Sequence, residues 1–198
     1  MSVGDIGDIR VHMTLDEVDL LQKYLKKSKF HLEFGCGGST ELAVRLRVGR
    51  IVSIESDKGW VDQLSEKPEI SAAVAAKKLS LLHVDIGPVG AWGTPTDRST
   101  IANWPKYFLT PFQKFDYDFD TVLIDGRFRV ACALACHAYL KDHAIMLMHD
   151  YQTRDGYSEV EKFFEIIEFS NNLFVFKKKN LINPRSFYTA VLNSMFRP

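Results

Sequence analysis

The chain has 198 residues, 46% of them hydrophobic, and its 25 Lys and Arg balance its 25 Asp and Glu, so the formal net charge is zero. That length suits one domain with a sizeable core rather than two, and the even charge gives no overall field drawing nucleic acid or an anionic membrane. No apolar run approaches bilayer-spanning length, and the start Met-Ser-Val-Gly-Asp-Ile-Gly-Asp lacks both the basic and the apolar parts of a signal peptide, so a cytoplasmic location is expected.

Residues 14–27 place apolar side chains at Leu15, Val18, Leu21 and Leu25, with Thr14 and Glu17 spaced as a capping box, which predicts an amphipathic helix within an N-terminal extension, 1–29. A strand over 30–34 runs into a glycine-rich turn and a helix over 41–48 that Ser39 or Thr40 can cap and Gly49 can end. A second strand, 51–54, ends at Glu55, and a helix from Asp57 carries Trp60, Val61 and Leu64 on one side. An alanine-rich helical segment over 72–78 precedes a third strand, 79–84; strands four and five fall at 119–124 and 144–148, separated by the helical stretch 131–140. Val160, Phe163, Phe164 and Ile167 have the spacing of a helix face, and 173–176 and 187–192 read as two last strands joined by 177–184. Strands alternating with helices predict an α/β domain spanning 1–198: a Rossmann-like doubly wound, seven-stranded, mostly parallel sheet with helices on both faces. Segment 87–118 interrupts the alternation with four prolines and several aromatics, including Trp92, Trp104, Tyr107, Phe108 and Phe112. It is too long for an ordinary connection, and it reads equally as a lid-like insertion walling a pocket or as cover for the core.

The chemistry concentrates at the strand ends. Each of the five parallel strands ends on or beside a carboxylate, namely Glu33, Glu55, Asp85, Asp125 and Asp150, and in doubly wound sheets ligands sit outside those ends. After Glu33 come Gly35, Cys36, Gly37, Gly38, Ser39 and Thr40, a turn whose glycines let the backbone approach a ligand. Thr40 stands where a dinucleotide fingerprint wants its third glycine, which disfavours NAD.

An acid followed by G-x-G-x-G, with Ser39 at the last glycine position, resembles motif I of class I S-adenosylmethionine-dependent methyltransferases, and the likeness extends over residues 30–151. A C-terminal antiparallel strand also fits that family. The resemblance implies S-adenosylmethionine as cofactor and a small-molecule acceptor, with O-methylation one candidate outcome. It implies that Glu55, followed by Ser56, holds the ribose diol; that Asp85 and Ile86 hold adenine; and that Glu33 and residues 35–40 face the methionine part, with Asp125 alongside. Asp125, His149 and Asp150 would then stand beside the acceptor, with His149 or Asp150 as base and Arg127 or Arg129 available for an acidic acceptor. Asp125 and Asp150 also resemble the carboxylates that hold a divalent cation such as Mg²⁺ in catechol-type and macrocin-type O-methyltransferases, although Tyr151 stands where a further Asp or Asn is usual.

Two other readings stay open: an NAD-linked oxidoreductase, which lacks a Tyr-x-x-x-Lys pair after the fifth strand, and a non-catalytic module that binds an adenosyl ligand. Nucleic acid is not expected as a partner, and homo-oligomerisation is left open. Three cysteines, with Cys132 and Cys136 four apart, read as free buried thiols, because adding His137 gives neither a fourth ligand nor a zinc spacing. His31 and His83 read as core or rim residues, and His137 and His143 carry no signal.

Overall fold

The structure, a computed structural model, describes residues 4–6, 9–152 and 156–198. A short hairpin of Gly4–Ile6 (β1) and Ile9–Val11 (β2) opens the chain and leads to helix Leu15–Leu25 (α1). Its capping box is closed: the Thr14 N–H donates to Glu17 Oε2 at 2.6 Å and the Glu17 N–H to Thr14 Oγ1 at 3.3 Å. The alternation then runs Phe30–Phe34 (β3), Gly38–Arg45 (α2), Arg50–Glu55 (β4), Lys58–Ser65 (α3), Pro68–Ala75 (α4) and Leu79–His83 (β5). It continues with Pro105–Lys114 (α5), Thr121–Ile124 (β6), Arg129–Tyr139 (α6) and Ile145–Met148 (β7). The hairpin Phe164–Ser170 (β8) and Leu173–Lys178 (β9) and a last helix, Pro184–Ser194 (α7), complete the fold.

The seven-stranded sheet has the order β5-β4-β3-β6-β7-β9-β8; β3 to β7 are mutually parallel and β9 is antiparallel to both its neighbours. This is the predicted Rossmann-like architecture. The direction of winding switches at β3, which has β4 on one side and β6 on the other, so the ends of these three strands frame the crevice. Alternate side chains of β6 serve two cores: Val122 and Ile124 pack with Tyr107, Phe108 and the alanines of α6, whereas Leu123 packs with Leu21, Leu42 and Leu64 from α1 to α3.

The C-terminal third departs from expectation. Residues 157–162 form a 3₁₀ turn and 164–170 a strand, so the helical spacing of Val160, Phe163, Phe164 and Ile167 was fortuitous. Ser170 pairs with Leu173 across Asn171-Asn172, and Asn171 takes φ +46°, the left-handed conformation a two-residue hairpin demands. The predicted strand 187–192 is instead the middle of α7: Asn183 accepts from the Ser186 N–H at 3.0 Å and Pro184 occupies the first helical position, a helix start that reads locally like a loop.

Smaller corrections follow from caps. Helix α2 begins at Gly38, so Ser39 and Thr40 lie in its first turn rather than ahead of it, and the left-handed residue at its end is Arg47 (φ +57°), not Gly49. Gly49 is needed for space, since a Cβ there would stand 2.6 Å from the Lys29 carbonyl oxygen. Helix α4 starts four residues early, on Pro68. Within 87–118, Trp104, Tyr107 and Phe108 are buried against Phe128, whereas Trp92 on the 3₁₀ turn Ala91–Gly93 is 77% exposed.

Candidate active site at the switch point

The glycine turn joins β3 to the strands beside it by backbone contact. Gly35 has φ +94°, and a Cβ there would lie 2.7 Å from the Gly126 nitrogen, so the ends of β3 and β6 touch main chain to main chain. Gly38 is equally confined, its missing Cβ facing the Arg10 carbonyl of β2, so the N-terminal hairpin covers the turn.

Glu33 is fully buried and faces inward. Hydroxyls of Ser39, Thr40 (2.5 Å) and Ser53 (2.8 Å) all donate to its carboxylate, and burial pushes its pKa up to about 7 despite them. It thus holds the first turn of α2 onto β3 and β4.

Glu55, at the end of β4, accepts from the N–H groups of Ser56 (2.6 Å), Asp57 (3.0 Å) and Cys36 (3.3 Å). Burial, with the charges of Glu55 and Glu33, pushes the Cys36 thiol pKa far up, so it stays protonated. Cys132 and Cys136 are likewise free and buried. Trp60 closes the outside of the turn, its indole N–H donating to the Cys36 carbonyl at 2.6 Å. Asp85 is exposed beyond β5 and accepts from the Gly87 N–H at 2.9 Å, while Ile86 is buried and its carbonyl accepts from Thr100.

A strap lies across this crevice. Its base is the bridge between Val89 and Pro95, and at its tip Trp92 and Gly93 both have positive φ, +60° and +67°. The Gly93 carbonyl accepts from Ser56 Oγ at 3.2 Å, and a Cβ on Gly93 would stand 3.1 Å from Glu55 Oε1. Trp92 meets the His12 ring edge-on at 5.7 Å. Below, the Tyr107 hydroxyl is wholly buried against Gly126 beside the Arg127 backbone, and its proton finds no acceptor among the described residues.

The ends of β6 and β7 hold a second group. Asp125 Oδ1 is 3.0 Å from His149 Nδ1, and Arg129, at the start of α6, lies 3.1 Å from Asp125 Oδ1 and 3.2 Å from Asp150 Oδ2. Burial alone would raise the Asp125 pKa, but the His149 hydrogen bond and the Arg129 charge outweigh it and hold the carboxyl below its usual range. For His149, burial would lower the pKa, and the Asp125 bond with the charges of Asp125, Asp150 and Glu17 raises it instead. Its Nε2 is 3.7 Å from Glu17 Oε2, at a cavity of about 520 Å³ lined by His12, Thr14, Glu17, Gln152 and Asn172 among others.

Comparison with solved structures bears on the fold. A methyltransferase-like protein from Silicibacter pomeroyi matches with 29% identity and a TM-score of 0.83, over 95% of this chain and 97% of that one. The chain has the fold of the class I S-adenosylmethionine-dependent methyltransferases. Two methyltransferases of 13% identity share the fold: one from Geobacter sulfurreducens (TM-score 0.52, 84% and 81% covered) and an RNA methyltransferase from Salinibacter ruber bound to S-adenosyl-L-homocysteine (TM-score 0.52, 86% and 95% covered). No family model matches the chain, nor does any curated protein. No helix among the described residues is long and apolar enough to cross a membrane.

Within this methyltransferase fold the expected site residues fall into two groups. Glu33, residues 35–40, Glu55 and Ser56 gather at the glycine turn with Asp85 and Ile86 beyond β5, and Asp125, His149 and Asp150 gather beside the cavity. Arg127 turns to the strap, donating to Thr94 Oγ1 at 3.2 Å. His31 is buried in β3, its pKa pushed down to about 4 by burial, and His83 contacts the Ser56 carbonyl. Sequence reasoning missed Glu17, which it read only as a helix cap, as well as Tyr107 and the Gly93 strap. Their signals were a capping box, an aromatic and a glycine, none of which announces a distant contact.

Proposed function

We propose that this chain is an S-adenosylmethionine-dependent methyltransferase that methylates a hydroxyl of a small-molecule acceptor seated in the cavity beside His149. The observation that carries the reading is the Asp125–His149 pair, set at the ends of adjacent parallel strands, with His149 lining the cavity beside Glu17.

The crevice suits the cofactor in its chemistry. Glu55 supplies carboxylate oxygens for a vicinal diol, Asp85 an exposed acceptor for an exocyclic amine, and Tyr107 a buried hydroxyl whose proton lacks an acceptor. Gly93 lies where a ligand reaching Glu55 would pass, so the tip of the strap must move aside for entry. When bound, the cofactor supplies a methyl group on a sulfonium, a leaving group already activated.

The chain's own part is orientation and proton removal. Asp125 accepts from His149 Nδ1–H and so leaves Nε2 as the basic nitrogen, and Asp125, Asp150 and Glu17 raise its basicity towards neutral pH, where a general base is most useful. Nε2 would take the proton of the acceptor hydroxyl, while the cofactor, when bound, would supply the methyl group and leave as a neutral thioether.

Titration calorimetry tests the reading. S-adenosylhomocysteine is expected to bind saturably and NAD not at all, and Glu55→Gln, which trades an acceptor oxygen for an amide, is expected to weaken binding by roughly tenfold or more. NAD binding, no S-adenosylhomocysteine binding, or an unaffected Glu55→Gln variant would remove the assignment.

A further inference from the structure

Asp125, His149 and Asp150 offer ligand atoms within 4.8 Å of one another, a spacing that three groups around a divalent cation can have. What decides against a cation is the group already there. Arg129 is 4% exposed, and its NH2 nitrogen lies 3.1 Å from Asp125 Oδ1 and 3.2 Å from Asp150 Oδ2. The rest of the guanidinium is equally engaged: Nε donates to the Gly126 carbonyl at 3.0 Å, NH1 to the His149 carbonyl, and NH2 also to the Asp125 carbonyl at 3.1 Å.

We propose that Arg129 is a built-in cation standing in place of a divalent metal, and that this chain positions Asp125 and His149 for methyl transfer without one. The inference rests on the proposed methyltransferase reading for its purpose but not for its test. Several features support it. The planar fork of an arginine matches acceptors spread over two strand ends, whereas a hard dication wants a compact shell of oxygens. By binding three carbonyls, those of residues 125, 126 and 149, Arg129 fixes the ends of β6 and β7 relative to each other. It also holds the carboxylate of Asp150, a residue in the left-handed conformation (φ +57°), so that Asp125 Oδ1 is presented to His149 Nδ1. A dication among the same oxygens would sit within a few ångströms of a buried guanidinium that has no solvent to screen it. Arg129 is therefore a positioning residue, and the Mg²⁺ site suggested by the likeness to catechol-type enzymes does not fit these side chains.

The experiment titrates Mn²⁺ into the full-length protein, read by the loss of the free-ion electron paramagnetic resonance signal. Wild type is expected to show no saturable Mn²⁺ binding. Arg129→Gln, which removes the charge and keeps hydrogen bonding, is expected to acquire a saturable Mn²⁺ site, lost again in Arg129→Gln/Asp150→Asn. Arg129→Lys keeps a cation and is expected to exclude Mn²⁺ as wild type does, which a merely structural arginine would not require. Saturable Mn²⁺ binding by wild type that Asp150→Asn weakens overturns the proposal, as does a folded Arg129→Gln that gains nothing. If Arg129→Gln does not fold, the wild-type and Arg129→Lys titrations still decide, because Mn²⁺ binding in either counts against it. Calorimetry with S-adenosylhomocysteine on the same samples reports separately on the methyltransferase reading.

Discussion

Replacing Glu33 by glutamine tests the burial of a carboxyl group under the glycine turn. Glu33 has no exposed surface, and its pKa rises from 4.5 to about 7 in the fold, first because of burial, against which the three hydroxyls only partly work, with the Asp125 charge adding to the rise. The gap corresponds to about 3 kcal/mol at 1.36 kcal/mol per tenfold in proton affinity. Between those pH values the folded chain keeps a proton that the unfolded chain has released, so the contribution is fully present below about 4.5 and is lost as pH rises through about 7. Glutamine stays neutral throughout. Its carbonyl can accept from Thr40 and Ser53 and its amide can donate to a rotated Ser39 hydroxyl, so the turn keeps its anchor. In urea unfolding followed by circular dichroism, wild type should lose about 3 kcal/mol relative to the variant between pH 4 and pH 8. A stability difference that does not move with pH would show that Glu33 is ionised in the fold and that its burial has been misread.

Two further outcomes follow from the same region. His149 should titrate above 6.5 by NMR of its ring, because Asp125, Asp150 and Glu17 face it and Arg129 reaches only its carbonyl; Asp125→Asn should bring the midpoint down, and a midpoint below 6.5 in wild type would contradict the dyad. The stability from these pairings is present at low pH and lost as pH rises through that midpoint. For Gly38→Ala, helix propensity alone favours the variant by up to about 1 kcal/mol, whereas the clash with the Arg10 carbonyl should destabilise it by about 1–3 kcal/mol net. The sign in thermal denaturation decides, and a stabilised variant would mean that the N-terminal hairpin does not cover the turn.

The sequence by itself determined the framework. Short apolar strands followed by polar ends, a helix with its capping box, and a glycine turn after an acid are local patterns whose physics is complete within a few residues, so β3 to β7, α1 and the carboxylates at the strand ends were legible. Where a local pattern had two meanings, the tertiary structure chose. Phe164 to Ser170 carries both a helical and an alternating pattern, and the space beside β9 made it a strand; Pro184 and the residues after it could read as loop and strand, and the groove over α6 made them a helix. The site divided in the same way. Which residues carry chemistry followed from type and position, but which of them meet depended on contacts across more than a hundred residues in one case, Glu17 with His149, and on a guanidinium finding five acceptors at two strand ends in another. A hydrogen bond or an ion pair acts over only a few ångströms, and only the folded sheet brings such groups that close.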